Sequence, residues 1–524
     1  MKDNMIFRRM IPAVLFVCAI SHCNAQMTAD SLTKVLDAIK NTYKIVGMSV
    51  TVVKSGTIRC TASVGKADIS RNLSITDSTK YRIASISKTI TATALMQLYE
   101  QGKFNLDDDV SRYLGFTLRN PHFPSDSITF RMLLSHTSSV NDGTGYDGFL
   151  SATASNPPPP ISDVLLPIGA TYSSNMWLSR KPGSYFTYAN MGFGILGTLV
   201  ERLSGERFDL YCINHIFKPL GLDASYNAQD LRNINNLAVL YRGTTPQCDN
   251  YGGVKPAPRD LSGYVVGSNA VVFSPTGGVR ISSKDLSRIM MARMNGGVVD
   301  GVRILDDSTA RLMLQPAWTY SGANGDNYSG LFLKWGLGTQ ITTNTSMGDI
   351  VVPGKIMAGH AGEAYGLVSD AYFEINNEFG IVFITNGRSG SYGPGTTSAF
   401  YDVEEAVFHA AYAYIKSQPA AGMLRDAGAL PRDIQLDQNY PNPFNPSTAI
   451  RWSIPARSDV RMEIFSSLGS HVATLVDAEY GPGTYESRWH ADTASGVYFY
   501  QLYVTPVDGN GAPSLHTRKL TVLK

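Results

Sequence analysis

Ser85-Ile86-Ser87-Lys88 opens a stretch ending at Gly102 in which Ile86, Ile90, Ala94, Leu95 and Leu98 recur at helical spacing. A serine and a lysine three positions apart on the first turn of a helix share a face, so the amine reaches the hydroxyl. The helix dipole favours a developing alkoxide there and holds down the lysine pKa. A readily deprotonated amine then serves as general base for a serine nucleophile. Alone the pattern is weak, because Ser31-Leu32-Thr33-Lys34 repeats it with no strand before it. That copy is expected on the exposed face of a helix.

Ser85 differs from Ser31 in having partners further along the chain. Tyr188-Ala189-Asn190 is a Y-x-N element, preceded by Pro182-Gly183 and followed by Gly192 and Gly197. His360-Ala361-Gly362 is an H-x-G element, expected to begin a sheet-edge strand, with Gly362 admitting close backbone approach. Serine–lysine, tyrosine–asparagine and a strand carrying x-x-G stand in the order this catalytic design requires. Tyr440-Pro441-Asn442 repeats Y-x-N far from any partner and reads as structural.

Around these motifs the chain divides by texture. At 524 residues it is too long for one ordinary domain. With 43% hydrophobic and 17% charged residues its composition is globular, and a net charge of +2 makes no case for nucleic acid. Lys2, Arg8 and Arg9 precede an apolar run from Met10 to Ile20, and Cys23-Asn24-Ala25 supplies small residues for cleavage. Residues 1–25 therefore read as a signal peptide, with Gln26 beginning the mature chain. A membrane anchor is the competing reading, but the run is short of the ~20 residues a spanning helix needs. A lipid-anchored Cys23 is opposed by the bulky His22. No later segment is apolar enough to cross a bilayer.

Met48 to Val64 reads as a hairpin turning at Ser55-Gly56. Leu133-Leu134 and Met191 to Leu203 look helical, Ile350 to Ser369 and Ala371 to Thr385 strand-like, and Val403 to Ile415 a closing helix. Terminal strands with helices between predict a sheet built from both ends of residues 26–416 plus an inserted helical region. Residues 417–432, rich in Ala, Gly and Pro, read as a linker. Residues 433–524 read as a small β-sandwich, with strand candidates Ala449 to Ile454, Val460 to Ile464 and Val497 to Val504.

Other groups carry no chemistry of their own. Cys60, Cys212 and Cys248 are widely spaced and form no framework. His136 is expected to be buried and bonded to backbone. His122, His215 and His409 have no partner at ligand spacing, and Asp107-Asp108-Asp109 reads as a solvated turn. No metal or cofactor is implied.

Residues 30 to 416 resemble the class C β-lactamase, DD-peptidase and class VIII esterase superfamily. Beyond the motifs, the resemblance rests on Ile128 to Ser138 (ITFRMLLSHTS), Phe217 to Leu222 (FKPLGL), Pro275-Thr276-Gly277-Gly278, and Gly359 to Gly362 with Gly366 and Ser369 behind. It implies an α/β sheet domain with an all-helical subdomain and an active site in the cleft between them. It also implies roles: Ser85 as nucleophile, Lys88 and Tyr188 sharing base and acid work, Asn190 orienting the lysine or the substrate. His360, Ala361 and Gly362 would form the substrate strand, and the N–H groups of Ser85 and Glu363 the oxyanion hole. Leu436 to Thr448 (LDQNYPNPFNPST), Ser495 to Tyr500 and Arg518 to Lys524 resemble the type IX secretion sorting domain. This implies export through the periplasm to the surface or medium, with the secretion machinery as partner.

The expected activity is an acyl-enzyme hydrolase acting on a small ester, amide or D-amino-acid peptide. β-Lactamases of this superfamily carry Lys-Thr-Gly where this chain has His360-Ala361-Gly362. Losing both donors predicts an esterase bias, with Arg280 as a candidate substitute for carboxylate binding and Ala361→Thr as a way to restore it. D-Alanyl-D-alanine carboxypeptidase and β-lactamase activity are the enzymatic alternatives. A penicilloyl-type sensor that acylates without turnover is the alternative of another class.

Overall fold

The computed structural model describes residues 27–418, 423–424, 431, 433–480, 482–507 and 512–523. The expected signal peptide, Gln26 and most of the expected linker lie outside the described residues.

The organising element is a nine-stranded sheet. Its strands are β1 (Gly47–Lys54), β2 (Thr57–Asp68), β3 (Leu73–Ser74), β4 (Trp318–Thr319), β5 (Lys334–Trp335), β6 (Gln340–Ile341), β7 (Met357–Ala364), β8 (Leu367–Glu374) and β9 (Phe379–Thr385). They are ordered β4-β5-β6-β7-β8-β9-β1-β2-β3, so the two ends of the stretch 47–385 meet where β1 pairs antiparallel with β9. Every residue of β1, β8 and β9 is buried, which requires cover on both faces.

Five helices organise that cover. They are α1 (Ala29–Thr42), α2 (Ser87–Glu100), α3 (Asn190–Ser204), α4 (Ser283–Met294) and α5 (Asp402–Ser417). Leu32 and Leu36 of α1 and Val403 and Val407 of α5 share a core with Val50, Val52, Ile381 and Phe383 on one face. On the other face Ile289 and Met290 of α4 join a larger core with Ala371, Phe373 and Val382, continuous with Ile90 and Leu95 of α2 and Phe193 and Leu196 of α3. Thr28 caps α1 by accepting from Ser31 N, and Ser282 caps α4 by accepting from Asp285 N. The predicted sheet with an inserted helical region is what the chain forms.

The strand-like stretch 350–369 holds β7 and the start of β8, joined by a two-residue hairpin turn at Tyr365 (φ 56°) and Gly366 (φ 91°). One expectation about the third motif needs correction: His360 does not begin a sheet-edge strand. It is the fourth residue of β7, which lies between β6 and β8. The edge character survives in part, because β6 pairs only with Ala358 and Gly359.

Beyond α5, two four-stranded sheets face each other. With β10 (Met423–Leu424), β11 (Gln435–Leu436), β12 (Ser447–Ile454), β13 (Ser458–Ser466), β14 (His471–Tyr480), β15 (Gly483–His490), β16 (Gly496–Pro506) and β17 (Ser514–Val522), their orders are β10-β15-β12-β11 and β14-β13-β16-β17. They enclose a separate core of Trp452, Ile454, Met462, Ile464, Tyr485, Leu502 and Leu520 among others. Met423–Leu424, read from sequence as linker, pairs with Thr484 and Tyr485 of this sandwich.

Candidate active site

A short 3₁₀ turn, Ala84–Ile86, delivers Ser85 onto the start of α2. Ala84 sits at φ 45°, a left-handed conformation costly for a residue with a Cβ, and such strain collects at functional sites. Ser87, one position beyond Ile86, is fully buried and accepts from Val279 N at 3.2 Å, which ties the turn to the loop beneath.

One turn after Ser85, at the second position of α2, Lys88 is fully buried. Its Nζ lies 3.0 Å from Ser85 Oγ, 2.8 Å from Asn190 Oδ1 and 2.9 Å from Thr276 O. Burial brings the amine down from 10.5 to about 7, against the pull of the Asp142 carboxylate. The amine also faces the Tyr188 ring, 4.9 Å from its centroid.

Tyr188 and Asn190 arrive at the start of α3. Ala189 stands at the N-cap of that helix and has no side chain that can cap it. Asp142 does so from a distance: Oδ2 accepts from Asn190 N and Oδ1 from Met191 N, both at 2.8 Å. Burial pushes the Tyr188 phenol up, opposed by its interaction with Ser85. The phenol therefore stays protonated near neutrality.

The wall behind Tyr188 is aromatic. Phe332 stacks on it at 5.4 Å, and Trp335 and His360 meet it edge-on at 6.0 and 5.9 Å. His136 lies at 4.4 Å, and its Nδ1 accepts from Ala189 N, the backbone bond expected of it. The fully buried His360 is lowered to about 3, chiefly by burial and then by Lys88, and is neutral at any ordinary pH. Its Nδ1 lies 2.5 Å from Ala361 O. With Nδ1–H donating there, Nε2 carries the lone pair.

Gly362 supplies the close approach. A Cβ at this position would lie 2.7 Å from Ile83 O and 3.1 Å from Ser85 N. This brings the β7 backbone, with Glu363 next, against the serine turn. The Glu363 side chain points elsewhere and accepts from Tyr401 OH at 2.9 Å.

Two candidates, Ala361 and Arg280, fall elsewhere, and Ser31 stays apart from the cleft as expected. Ala361 packs with the α1/α5 core rather than the cleft. Arg280 is fully engaged: Nε and Nη2 bind Asp249, and Nη1 donates to Tyr226 O and Gly278 O, so it is a buried structural cation. Ser31 lies on α1 bonded to Thr28, with Lys34 exposed. The three aspartates of the 107–109 run are each engaged, by Arg131, Tyr113 and Arg119 respectively, and His215 meets Glu206 at 2.8 Å.

Sequence reading missed Asp142, the Thr276 carbonyl and the Phe332–Trp335 wall. The uncapped Ala189 is the signal that could have pointed to Asp142, since a helix start without a cap needs an acceptor from elsewhere.

Comparison with known proteins agrees with this fold. The beta-lactamase family profile matches residues 32–399. Protein flp of Staphylococcus aureus (strain MRSA252) is 28% identical over 227 residues, 42% of this chain and 44% of that protein. A putative penicillin-binding protein, PbpX of Bacillus subtilis (strain 168), is 33% identical over 187 residues, 35% of this chain and 42% of that one. The chain thus spans less than half the length of these curated relatives. Among solved structures, the octameric penicillin-binding protein homologue from Pyrococcus abyssi superposes with a TM-score of 0.54 at 19% identity, covering 94% of this chain and 96% of that one. The D-amino acid amidase from Ochrobactrum anthropi SV3, complexed with L-phenylalanine amide, gives 0.52 at 20% identity over 74% and 98%. EstCE1, a hydrolase with promiscuous acyltransferase activity, gives 0.52 at 21% over 73% and 99%. With the family profile matched over most of its length, this chain belongs to the beta-lactamase family.

Proposed function

We propose that the chain is an exported serine hydrolase that forms an acyl-enzyme on Ser85 and acts on ester or amide substrates lacking a free carboxylate. The observation that carries this reading is the set of three neighbours around Lys88 Nζ. A neutral amine has two N–H donors and one lone pair. The Asn190 and Thr276 oxygens are acceptors that take the two donors, which directs the lone pair at Ser85 Oγ.

Ser85 Oγ then attacks the carbonyl carbon while its proton passes to Lys88. The N–H groups of Ser85 and Glu363 hold the oxyanion, a contribution commonly of about 3–4 kcal/mol. Collapse breaks the bond to the alcohol or amine. The leaving group takes its proton from the Tyr188 phenol, which Lys88 reprotonates. Water completes the cycle by cleaving the acyl ester, releasing the acid and restoring Ser85. This division of labour differs from a shared base: the raised phenol makes Tyr188 the acid and leaves Lys88 the base.

The substrate preference rests on charge. Arg280 is consumed by Asp249, His360 is neutral, and Lys88 is committed to Ser85. A turnover panel of short acyl esters, nitrocefin and peptides ending in D-Ala-D-Ala, run beside Ser85→Ala, tests the reading. Ester hydrolysis lost in Ser85→Ala supports it; faster turnover of nitrocefin or the D-alanine peptides overturns the preference.

The same reading takes residues 433–524 as a type IX sorting module. In its support, the opening motif is zipped to the last strand: Phe444 N donates to Thr521 O, Leu523 N to Phe444 O, and Thr521 N to Asn442 Oδ1.

A further inference from the structure

We propose that Asp142 is a positioning residue that determines which end of the Asn190 carboxamide faces Lys88. The inference rests on the reading of Lys88 as general base, and it adds a residue that neither the motifs nor the family match singles out.

The geometry is specific. Besides capping α3, Asp142 Oδ2 accepts from Asn190 Nδ2 at 2.8 Å. A carboxylate offers no donor, so the end of the amide turned toward it must be the NH₂. Planarity then sends Oδ1 the opposite way, to Lys88 Nζ at 2.8 Å. The two ends of a carboxamide are nearly equal in size, and only the hydrogen-bond network decides between them.

The choice matters for catalysis. In the opposite orientation the NH₂ would face the amine and donate into the lone pair that Ser85 needs. A neutral Lys88 so engaged cannot accept the serine proton. Asp142 is itself held in place: Asn141 N donates to Met176 O at 2.8 Å, and Asn141 Nδ2 to Asn175 O at 3.0 Å.

Asp142 also sets the charge around the base. Among the described residues, the other titratable groups around Lys88 and Asp142 are Tyr188 at the start of α3, His136 from the loop beneath, His360 from β7, and Tyr146 beside Asp142 and Thr276; burial keeps all four neutral. Asp142 is thus the charged neighbour that favours protonated Lys88.

The test measures the rate at which a fluorophosphonate labels Ser85 across pH, in the full chain, with thermal melting as a check on folding. Asp142→Asn removes the charge and leaves one acceptor oxygen for the three N–H groups that the carboxylate takes, so the Asn190 amide loses its fixed orientation. Labelling on the alkaline plateau is expected to fall by ten- to a hundredfold, and the acidic limb to move to lower pH because the charge favouring protonated Lys88 is gone. The double variant Asp142→Asn/Asn190→Asp reverses donor and acceptor between the two positions and again presents an oxygen to Lys88. It is expected to recover at least tenfold of the lost rate, with the limb above that of the native chain. A purely structural cap predicts otherwise: a lowered melting temperature, an unmoved limb and no recovery in the double variant, and that result overturns the proposal. An unchanged rate in Asp142→Asn does the same. Absence of labelling in the native chain is a different failure, since it removes the serine hydrolase reading itself.

Discussion

Ala361 stands opposite Asp370 in the register of β7 and β8, so its methyl group lies on the α5 face of the sheet, whereas His360 and Gly362 face Ser85. Facing residues on paired strands share a side, and parity alone excludes Ala361 from the cleft. A hydroxyl added there points at the wrong layer. Ala361→Thr is therefore expected to leave kcat/KM within about twofold on carboxylated and uncarboxylated substrates alike, a difference of under ~0.5 kcal/mol. His360→Lys is the substitution on this strand expected to shift preference. One charged hydrogen bond of ~1.5–3 kcal/mol corresponds to roughly tenfold or more in the ratio of carboxylated to uncarboxylated turnover. A selective gain in Ala361→Thr would contradict the register argument.

The two S-x-x-K sites should separate cleanly. Ser31 bonds Thr28 and its lysine is exposed, while Ser85 has a buried amine at 3.0 Å. Ser85→Ala is expected to abolish labelling by a fluorophosphonate or penicillin probe and all hydrolysis. Ser31→Ala should leave both unchanged. Mass spectrometry of the labelled peptide gives the answer directly, and a label found on α1 would refute the assignment.

With Lys88 brought to about 7, kcat/KM should show an acidic limb near that pH. Below it the amine is protonated, the lone pair is gone, and the rate falls about tenfold per pH unit. Histidine is the usual suspect for such a limb, but His136 and His360 are both lowered by burial and titrate well below this range. His360→Gln should accordingly change the magnitude of the rate without abolishing a limb near neutrality. Disappearance of the limb in that variant would reassign it to the histidine.

Much of this site is legible in the sequence because its chemistry is local or ordered. Ser85 and Lys88 share a helical turn, and Tyr188 and Asn190 begin the next long helix, so spacing alone brings each pair together. What escapes depends on parity and distance. The Tyr365-Gly366 turn lacks the Asn-Gly or Asp-Gly signature, so it does not stand out within the strand-like stretch 350–369 and the side Ala361 faces is lost with it. Arg280 resembles a cleft cation because nothing in sequence ties it to Asp249, 31 residues earlier. The Phe332–Trp335 wall falls at the two-residue strand β5, with no periodic pattern to reveal it. In the sandwich, β14 and β15 escape because their polar outward positions dilute the apolar signal.

Beneath β8, Asp370 is fully buried on the α5 face, where it meets Glu404. Burial raises both carboxyls, Glu404 from 4.5 to about 7. A raised carboxyl binds more protons folded than unfolded, so stability is present at low pH and lost as pH climbs through the range from about 4.5 to 7. The melting temperature is expected to decline across that interval. Asp370→Asn, whose amide can donate to Glu404, should flatten the decline and raise the melting temperature at pH 8. A native melting temperature that rises with pH across the interval would exclude a shared proton in this pair.

The sorting proposal predicts a separable C-terminal unit, and the two cores say where to cut. The sandwich core draws on residues from Leu436 to Val522, while the other cores end at Ile415, so among the described residues no buried hydrophobic residue is common to both. A cut at Asp433 would nevertheless leave Met423–Leu424 without its partner strand. Ending the chain after Gln418 avoids this and keeps the carbonyls of Ile415 and Gln418 that Lys54 Nζ binds at 3.1 and 2.7 Å. That truncation is expected to retain the melting temperature and the kcat of the catalytic region while the protein accumulates in the periplasm. A subtler variant separates folding from recognition. Phe444 is buried against Trp489 and its backbone clasps Thr521 and Leu523, so Phe444→Ala should loosen the last strand without touching the active site. Under the proposal, export falls and activity per molecule does not. Lost activity in the soluble, folded truncation would instead make the sandwich part of the catalytic unit.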